Sequence, residues 1–360
     1  MPLPKLTIRG REIATSIVQG GMGVGVSWLD LVVAVIMEGG LGTLSSAAID
    51  RLVYFETGKK MPTREATCWA VKEVKRRTGG GYVGINIMQA LVRDYVDSVL
   101  GAVDGGVDFI MASAGLHLRL PEIVGNKDVA LIPIVSSDRA LKIICGRWKS
   151  RHNRLPDAVI LEGPQSAGGH LGVKIGEIDL EENKLENLFP PIKQYANFLG
   201  ILVIVAGGLF YHTDILRWHA LGADGAQFGT RLLATKESGA SPLFKQELVK
   251  CGAEGIIVAY PTQNYPGSSS GLPFRVIKSS PAFTHNQWRK NICDKGYIKP
   301  KDRDCPAKSD PERHFCICNS LLAAIGYGDG LPLFTTGTNG ALIKEISTVA
   351  RVMKELRGEI

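Results

Sequence analysis

A chain of 360 residues, 45% hydrophobic and 21% charged, has the composition of a folded globular protein with a large core, which excludes an intrinsically disordered segment. Its formal charge of +7 is spread along the sequence, and the densest basic group, Lys72, Lys75, Arg76 and Arg77, closes a predicted helix where cations complement the dipole. No nucleic-acid motif accompanies it, so nucleic acid is not the implied partner.

In chain order, short β-branched runs alternate with amphipathic stretches. The predicted strands are Thr15–Gln19, Leu41–Leu44, Tyr82–Ile87, Phe109–Ala112, Leu131–Val135, Ala158–Leu161, Leu202–Ala206 and Gly225–Phe228. The helices between them include Trp28–Glu38, Arg64–Thr78, Val92–Asp104, Asp138–Trp148 and Asp214–Leu221. Strands apolar on both faces with helices between them form parallel βαβ units. Eight such units predict an α/β fold, a (β/α)8 TIM barrel, which commonly occupies ~250 residues. The excess length predicts a smaller inserted or appended segment near the C-terminus. We place the barrel at 1–237, an inserted segment with a cysteine cluster at 238–318, and a helical return packing on the barrel at 319–360.

Barrel sites lie at the C-terminal ends of the strands. The residues predicted there are Gln19-Gly20-Gly21-Met22-Gly23, Asn86, Ser136-Ser137, Glu162 with Ala167-Gly168-Gly169-His170, Gly207-Gly208, and Gly229-Thr230. The 42 glycines, against a typical ~7% share, concentrate in such turns. Gly79–Gly84 matches G-x-G-x-x-G by letters but precedes a strand, so it reads as a helix stop and a turn. Late barrel strands commonly bind phosphate through glycine-rich loops, and Gly207-Gly208 and Gly229-Thr230 occupy those two places. At the end of the sixth strand, Ala-Gly-Gly leaves room for a planar ring. His170 beside it could move a proton near neutral pH, or only hydrogen-bond the ligand. His117, after the fourth strand, is the other histidine predicted at the mouth.

Taken together, Gln19-Gly20-Gly21-Met22-Gly23, Gly84-Ile85-Asn86, Asp157-Ala158-Val159, Ala167-Gly168-Gly169-His170, Ala206-Gly207-Gly208 and Gln227-Phe228-Gly229-Thr230-Arg231 resemble the nitronate monooxygenase family, also called 2-nitropropane dioxygenases. The resemblance runs from about residue 10 to 235. It implies an FMN-binding barrel in which Gly20, Gly21, Met22, Gly23 and Asn86 contact the flavin, with Gly168 and Gly169 beside it. Gly207, Gly208, Gln227, Gly229 and Thr230 would serve the phosphate side, and His170 would be the active-site base. The loop between Gly163 and His170 reads Pro-Gln-Ser-Ala-Gly-Gly, one residue longer than the family pattern and without its glutamate.

Three functions are therefore carried forward. The first is oxidation of alkyl nitronates or nitroalkanes with O2. The second is reduction of an enoyl thioester, with NAD(P)H as reductant and an acidic carrier protein attracted by the basic balance. The third is a flavin-binding barrel without catalysis. No charged-plus-apolar leader or run of ~18 apolar residues is seen, and seven cysteines make an odd number, so the expectation is a cytoplasmic, membrane-free protein. Cys293, Cys305, Cys316 and Cys318 fall within 26 positions, with His314 adjacent. They could hold zinc or an iron–sulfur cluster, or pack as reduced thiols; the spacing is not C-x2-C, and the second alternative is slightly favoured. Oligomeric state is not legible.

Overall fold

The computed structural model describes residues 3–260, 266–284 and 305–360. Eight parallel strands form the barrel: β1 Ile17–Gln19, β2 Gly42–Ser45, β3 Val83–Met88, β4 Phe109–Ser113, β5 Ala130–Val135, β6 Ala158–Glu162, β7 Leu202–Ala206 and β8 Gly225–Phe228. Each pairs with the next, β8 returns to β1 through Phe228 and Gln19, and a bridge between Val18 and Leu41 closes β1 on β2. The eight predicted strands are all present, within two residues at either end.

Side-chain alternation separates two apolar layers. Val18, Leu41, Phe109, Met111, Ala130, Ile132, Ala158, Ile160, Ile204 and Ala206 fill the barrel. Their neighbours Ile110, Leu131, Val159, Leu161, Val203 and Val205 face outward and pack with the surrounding helices. The hairpin Leu6–Ile8/Arg11–Ile13 adds Leu6, Ile8 and Ile13 to the inner layer and plugs the barrel.

A repeated device sets the strand starts. Asp108, Asp157 and Asp224, each just before a strand, accept the N–H of Val83, Leu131 and Val203 on the preceding strand at 2.7–2.8 Å. Lys75, Arg154 and Lys193 neutralise these carboxylates. Three of the four cations that close the helix Thr63–Arg77 are likewise spent internally: Lys75 pairs Asp108, Arg76 pairs Glu73 and Arg77 pairs Asp30.

After β8 the chain leaves the barrel wall and returns only with the helix Val349–Arg357, which packs between Leu29–Met37 and His212–Ala220 in the eighth helix's place. Between them, β9 Ile256–Ala259 and β10 Phe274–Ile277 pair antiparallel, and β10 also pairs with the two-residue strand Gly169–His170. Phe244, Phe274, Val276, Phe315 and Phe334 form a second core with Val24, Ala47 and Leu91 of the barrel's upper loops. The intervening segment therefore covers the C-terminal mouth. Among the described residues no helix is long and apolar enough to cross a membrane.

Candidate functional site at the barrel mouth

Continuing the inward alternation upward gives the residues of the top layer. Ala158 and Ile160 point inward, so Glu162 does too, opposite Ala206 in register. Asn86 on β3 pairs with Met111, and Ser113, two residues further along β4, donates its Oγ hydrogen to Asn86 Oδ1 at 2.7 Å. A polar rim thus tops an apolar barrel.

The first loop is fastened to that rim from both sides. Gln19 is fully buried; its amide nitrogen donates to Gly20 O and Ser27 Oγ, and its oxygen accepts Thr43 N–H. Asn86 Nδ2 donates to Gly21 O at 2.8 Å. A Cβ on Gly21 would lie 2.3 Å from Asn86 Cβ, so only glycine lets this loop approach β3. Met22 lies against Gly229, and Gly20 N–H donates to Phe228 O, which brings the first and eighth loops together. Gly23 stands over Ser45.

A second cluster gathers the sixth, seventh and eighth loops. Gly207 and Gly208 have φ of +90° and +85°, conformations that favour glycine, and Gly208 faces Ser166. Gly168 abuts Thr336 and Gly337 closely enough that a Cβ there would lie 2.7 Å from Gly337 N. Gly337 N–H donates to Thr230 Oγ1 at 2.9 Å, and Thr338 N–H to Ser166 O at 3.1 Å. Arg275, buried on β10, donates to the carbonyls of Pro164 and Ala167 and so secures the loop that carries His170. Ser166, Arg275 and Thr336–Thr338 were not singled out from sequence, since each depends on contacts across more than 100 positions.

Electrostatically the mouth is a low-dielectric site. His170 sits on the strand Gly169–His170 with Nε2 2.8 Å from Ser270 Oγ, and its ring meets Phe274 edge-on at 4.7 Å. Burial pushes its imidazole down to about 4, so it is neutral at physiological pH. Burial pushes the Glu162 carboxyl up to about 7, and among the described residues no hydrogen bond or ion pair reaches that carboxyl. His117 is placed differently from a reactive histidine. Its ring nitrogens bond Tyr95 OH at 3.0 Å and Ser113 O at 2.6 Å, and it is 1% exposed, which makes it a satisfied core histidine.

Glu162 carries a pH prediction. From an ordinary value of 4.5, its native value near 7 means that the folded protein retains a proton the unfolded chain releases. Its contribution to stability is therefore fully present below pH 4.5 and is lost as pH rises to about 7. At ~1.4 kcal/mol per pH unit the loss is at most ~3 kcal/mol, because part of the residue opens to the mouth. Denaturant unfolding of Glu162→Gln should show a smaller stability drop between pH 5 and pH 8 than wild type. An equal drop would mean that the carboxyl is solvated.

Of the four clustered cysteines, Cys305, Cys316 and Cys318 are buried, and Cys293 lies outside the described residues. Among the described residues no three His, Cys, Asp or Glu side chains gather to hold a metal ion. A cavity of about 550 Å³ lies between Glu247–Gly255 and Ile277–Phe283, and none of the rim residues lines it.

The sequence profile of the nitronate monooxygenase family matches residues 6–356. A (3aS,4S,5R,7aS)-5-hydroxy-7a-methyl-1-oxo-octahydro-1H-indene-4-carboxyl-CoA dehydrogenase of Mycobacterium tuberculosis is 26% identical over 263 residues, covering 73% of this chain and 63% of that protein. A probable nitronate monooxygenase of Staphylococcus haemolyticus is 34% identical over 136 residues, 38% of this chain and 36% of that one. The chain thus spans less than two thirds of the length of these relatives. FabK from Thermotoga maritima superposes with a TM-score of 0.71 at 23% identity, covering 96% of this chain and 93% of that one. Nitroalkane oxidase from Streptomyces ansochromogenes superposes at 0.66 with 20% identity and 96% coverage of both. These two likenesses show the barrel fold.

Proposed function

The chain belongs to the nitronate monooxygenase family of flavin oxidoreductases, and from that premise we propose that it oxidises alkyl nitronates, and nitroalkanes after proton removal, with O2 and FMN. The observation that carries the reading is the neutral, half-buried His170 beside the Ala-Gly-Gly turn, at the rim of a barrel where, among the described residues, buried polar groups stand without partners.

The residues present fit a flavin. Among the described residues neither Gln227 Oε1, buried beneath Gly20, nor the buried Thr43 Oγ1 has a hydrogen-bond partner. Gly20–Gly23 and Asn86 would hold the polar heterocycle of FMN, which would offer a partner to an orphaned buried atom such as Gln227 Oε1. Gly207, Gly208, Gly229 and Thr230 present backbone N–H groups and a hydroxyl suited to the phosphate end. FMN, when bound, accepts electrons from the substrate carbon and passes them to O2.

The chain's own part is acid–base work and exclusion of water. His170, kept neutral by burial, takes the α-proton of a nitroalkane and leaves the nitronate anion. Forming an imidazolium in this apolar place is costly, and the adjacent anion offsets that cost. Phe274 on β10 meets the histidine edge-on and shields one side of its ring from water. A preformed nitronate has already lost the proton and needs only binding.

A second reading is reduction or oxidation at an acyl thioester with NAD(P)H or a CoA-linked substrate. The relative from Mycobacterium tuberculosis, named as a carboxyl-CoA dehydrogenase, favours it, as does the longer loop before His170. Oxygen consumption with propyl nitronate, set beside NAD(P)H oxidation with crotonyl thioesters, separates the two. Nitronate-dependent oxygen uptake is expected. Thioester-dependent NAD(P)H oxidation without nitronate turnover would overturn the first reading in favour of the second.

A further inference from the structure

The segment crossing the mouth reaches His170 by more than packing. Ser270 Oγ lies 2.8 Å from His170 Nε2 and 2.8 Å from Ser268 Oγ. Ser268 is fully buried on a short strand paired with His314–Phe315, and its hydroxyl accepts Ser270 N–H at 3.2 Å. Ser270 Oγ in turn accepts Leu272 N–H at 3.3 Å. Phe274, in register with His170, holds the ring edge-on. The imidazole is therefore gripped at one nitrogen and one face by residues that follow it by 100 positions and more.

We propose that Ser270 is a positioning residue: it ties down His170 Nε2 and leaves Nδ1 as the nitrogen that meets the substrate. The proposal rests on the reading of His170 as the site's base.

Proton counting gives the consequence. Ser270 has one proton to give, and one of its lone pairs is taken by Leu272 N–H. When Ser270 donates to Ser268, its other lone pair accepts Nε2–H, and Nδ1 is a bare acceptor. When Ser268 donates to Ser270 instead, the Ser270 proton points at Nε2, and Nδ1 carries the hydrogen. Only the first arrangement makes a base. It also accommodates the conjugate acid without rearrangement, since the substrate's proton arrives at Nδ1 while Nε2–H stays on Ser270 Oγ. The tether thus fixes the ring's orientation and couples its tautomer to the direction of the Ser268–Ser270 hydrogen bond, the proposed state being the one in which Ser270 donates.

The test uses flavin-containing protein labelled with nitrogen-15 in its histidine rings, with His170→Asn identifying the resonances of this residue. Wild type should show a single tautomer protonated at Nε2. Ser270→Ala should give a mixture of both tautomers and lower kcat on a neutral nitroalkane about 10- to 100-fold with little change in KM. Ser270→Thr, which keeps the hydroxyl, should restore both. A wild-type His170 protonated at Nδ1, or a tautomer unchanged in Ser270→Ala, overturns the proposal. The ring spectrum does not depend on nitroalkane turnover. A protein that shows the tautomer shift but oxidises no nitro compound would refute the substrate reading and leave the tether standing.

Discussion

Replacing His170 with Asn should slow turnover of a neutral nitroalkane by ~10²–10⁴-fold, the usual contribution of a general base, and slow a preformed nitronate far less. The asymmetry follows from the chemistry: only the nitroalkane still carries the α-proton. Within the site His117 has both ring nitrogens engaged, whereas Glu162, pushed up to about 7, is about half ionised at neutral pH, so residual proton removal in the variant should fall to that carboxylate. With wild-type His170 neutral down to about pH 4, the nitroalkane profile should show no loss from this group through the ordinary histidine range near 6.5. Flavin content of the variant is checked first, since a lost flavin would mimic a lost base. Equal slowing of both substrates would make His170 a binding residue.

Gly208→Val should abolish flavin retention, with FMN affinity reduced at least ~100-fold. Two effects coincide at this position. The φ of +85° strains any L side chain by ~1–2 kcal/mol, and a Cβ there would stand 3.0 Å from Ser166 Cβ, inside the space proposed for the phosphate. Gly200 separates strain from occupancy. It has φ +70°, ends the helix Leu185–Leu199, and faces open space. Gly200→Ala should cost ~1 kcal/mol of stability and leave flavin content unchanged. Flavin retained at wild-type affinity in Gly208→Val would show that the Gly207-Gly208 pair is only a turn.

The barrel was legible because its strands are buried on both faces, and continuous apolar runs such as Leu202–Ala206 announce themselves without tertiary context. Other elements carry weaker signals. The helix Leu185–Leu199 contains Pro190 and Pro191, which read as breakers. They stand on the exposed face near the helix start, where the carbonyls they leave unpaired belong to the exposed Glu186 and Asn187 and can be hydrated. The plugging hairpin has strands of three residues, too short for a period to register.

The same contrast holds at the mouth. Glycine-rich turns directly after strands marked the loops, and the histidine followed from its place on one of them. Ser270, Arg275 and Gly337 reach the site from a polar, irregular stretch whose partners lie 107 to 111 positions away for the latter two. Nothing local in Gly267–Leu272 distinguishes a cover over the mouth from a surface loop; the strand pairing of Phe274 with His170 does.

The central claim is a flavin reducible by nitronates, and anaerobic mixing of the purified protein with propyl nitronate, nitropropane and NAD(P)H in turn tests it most directly. FMN should be released by acid, nitronate should bleach the flavin fastest, and nitropropane should do so more slowly and at that rate only with His170 in place. A flavin bleached by NAD(P)H and untouched by nitronate, or a protein that neither carries nor takes up FMN, would contradict it.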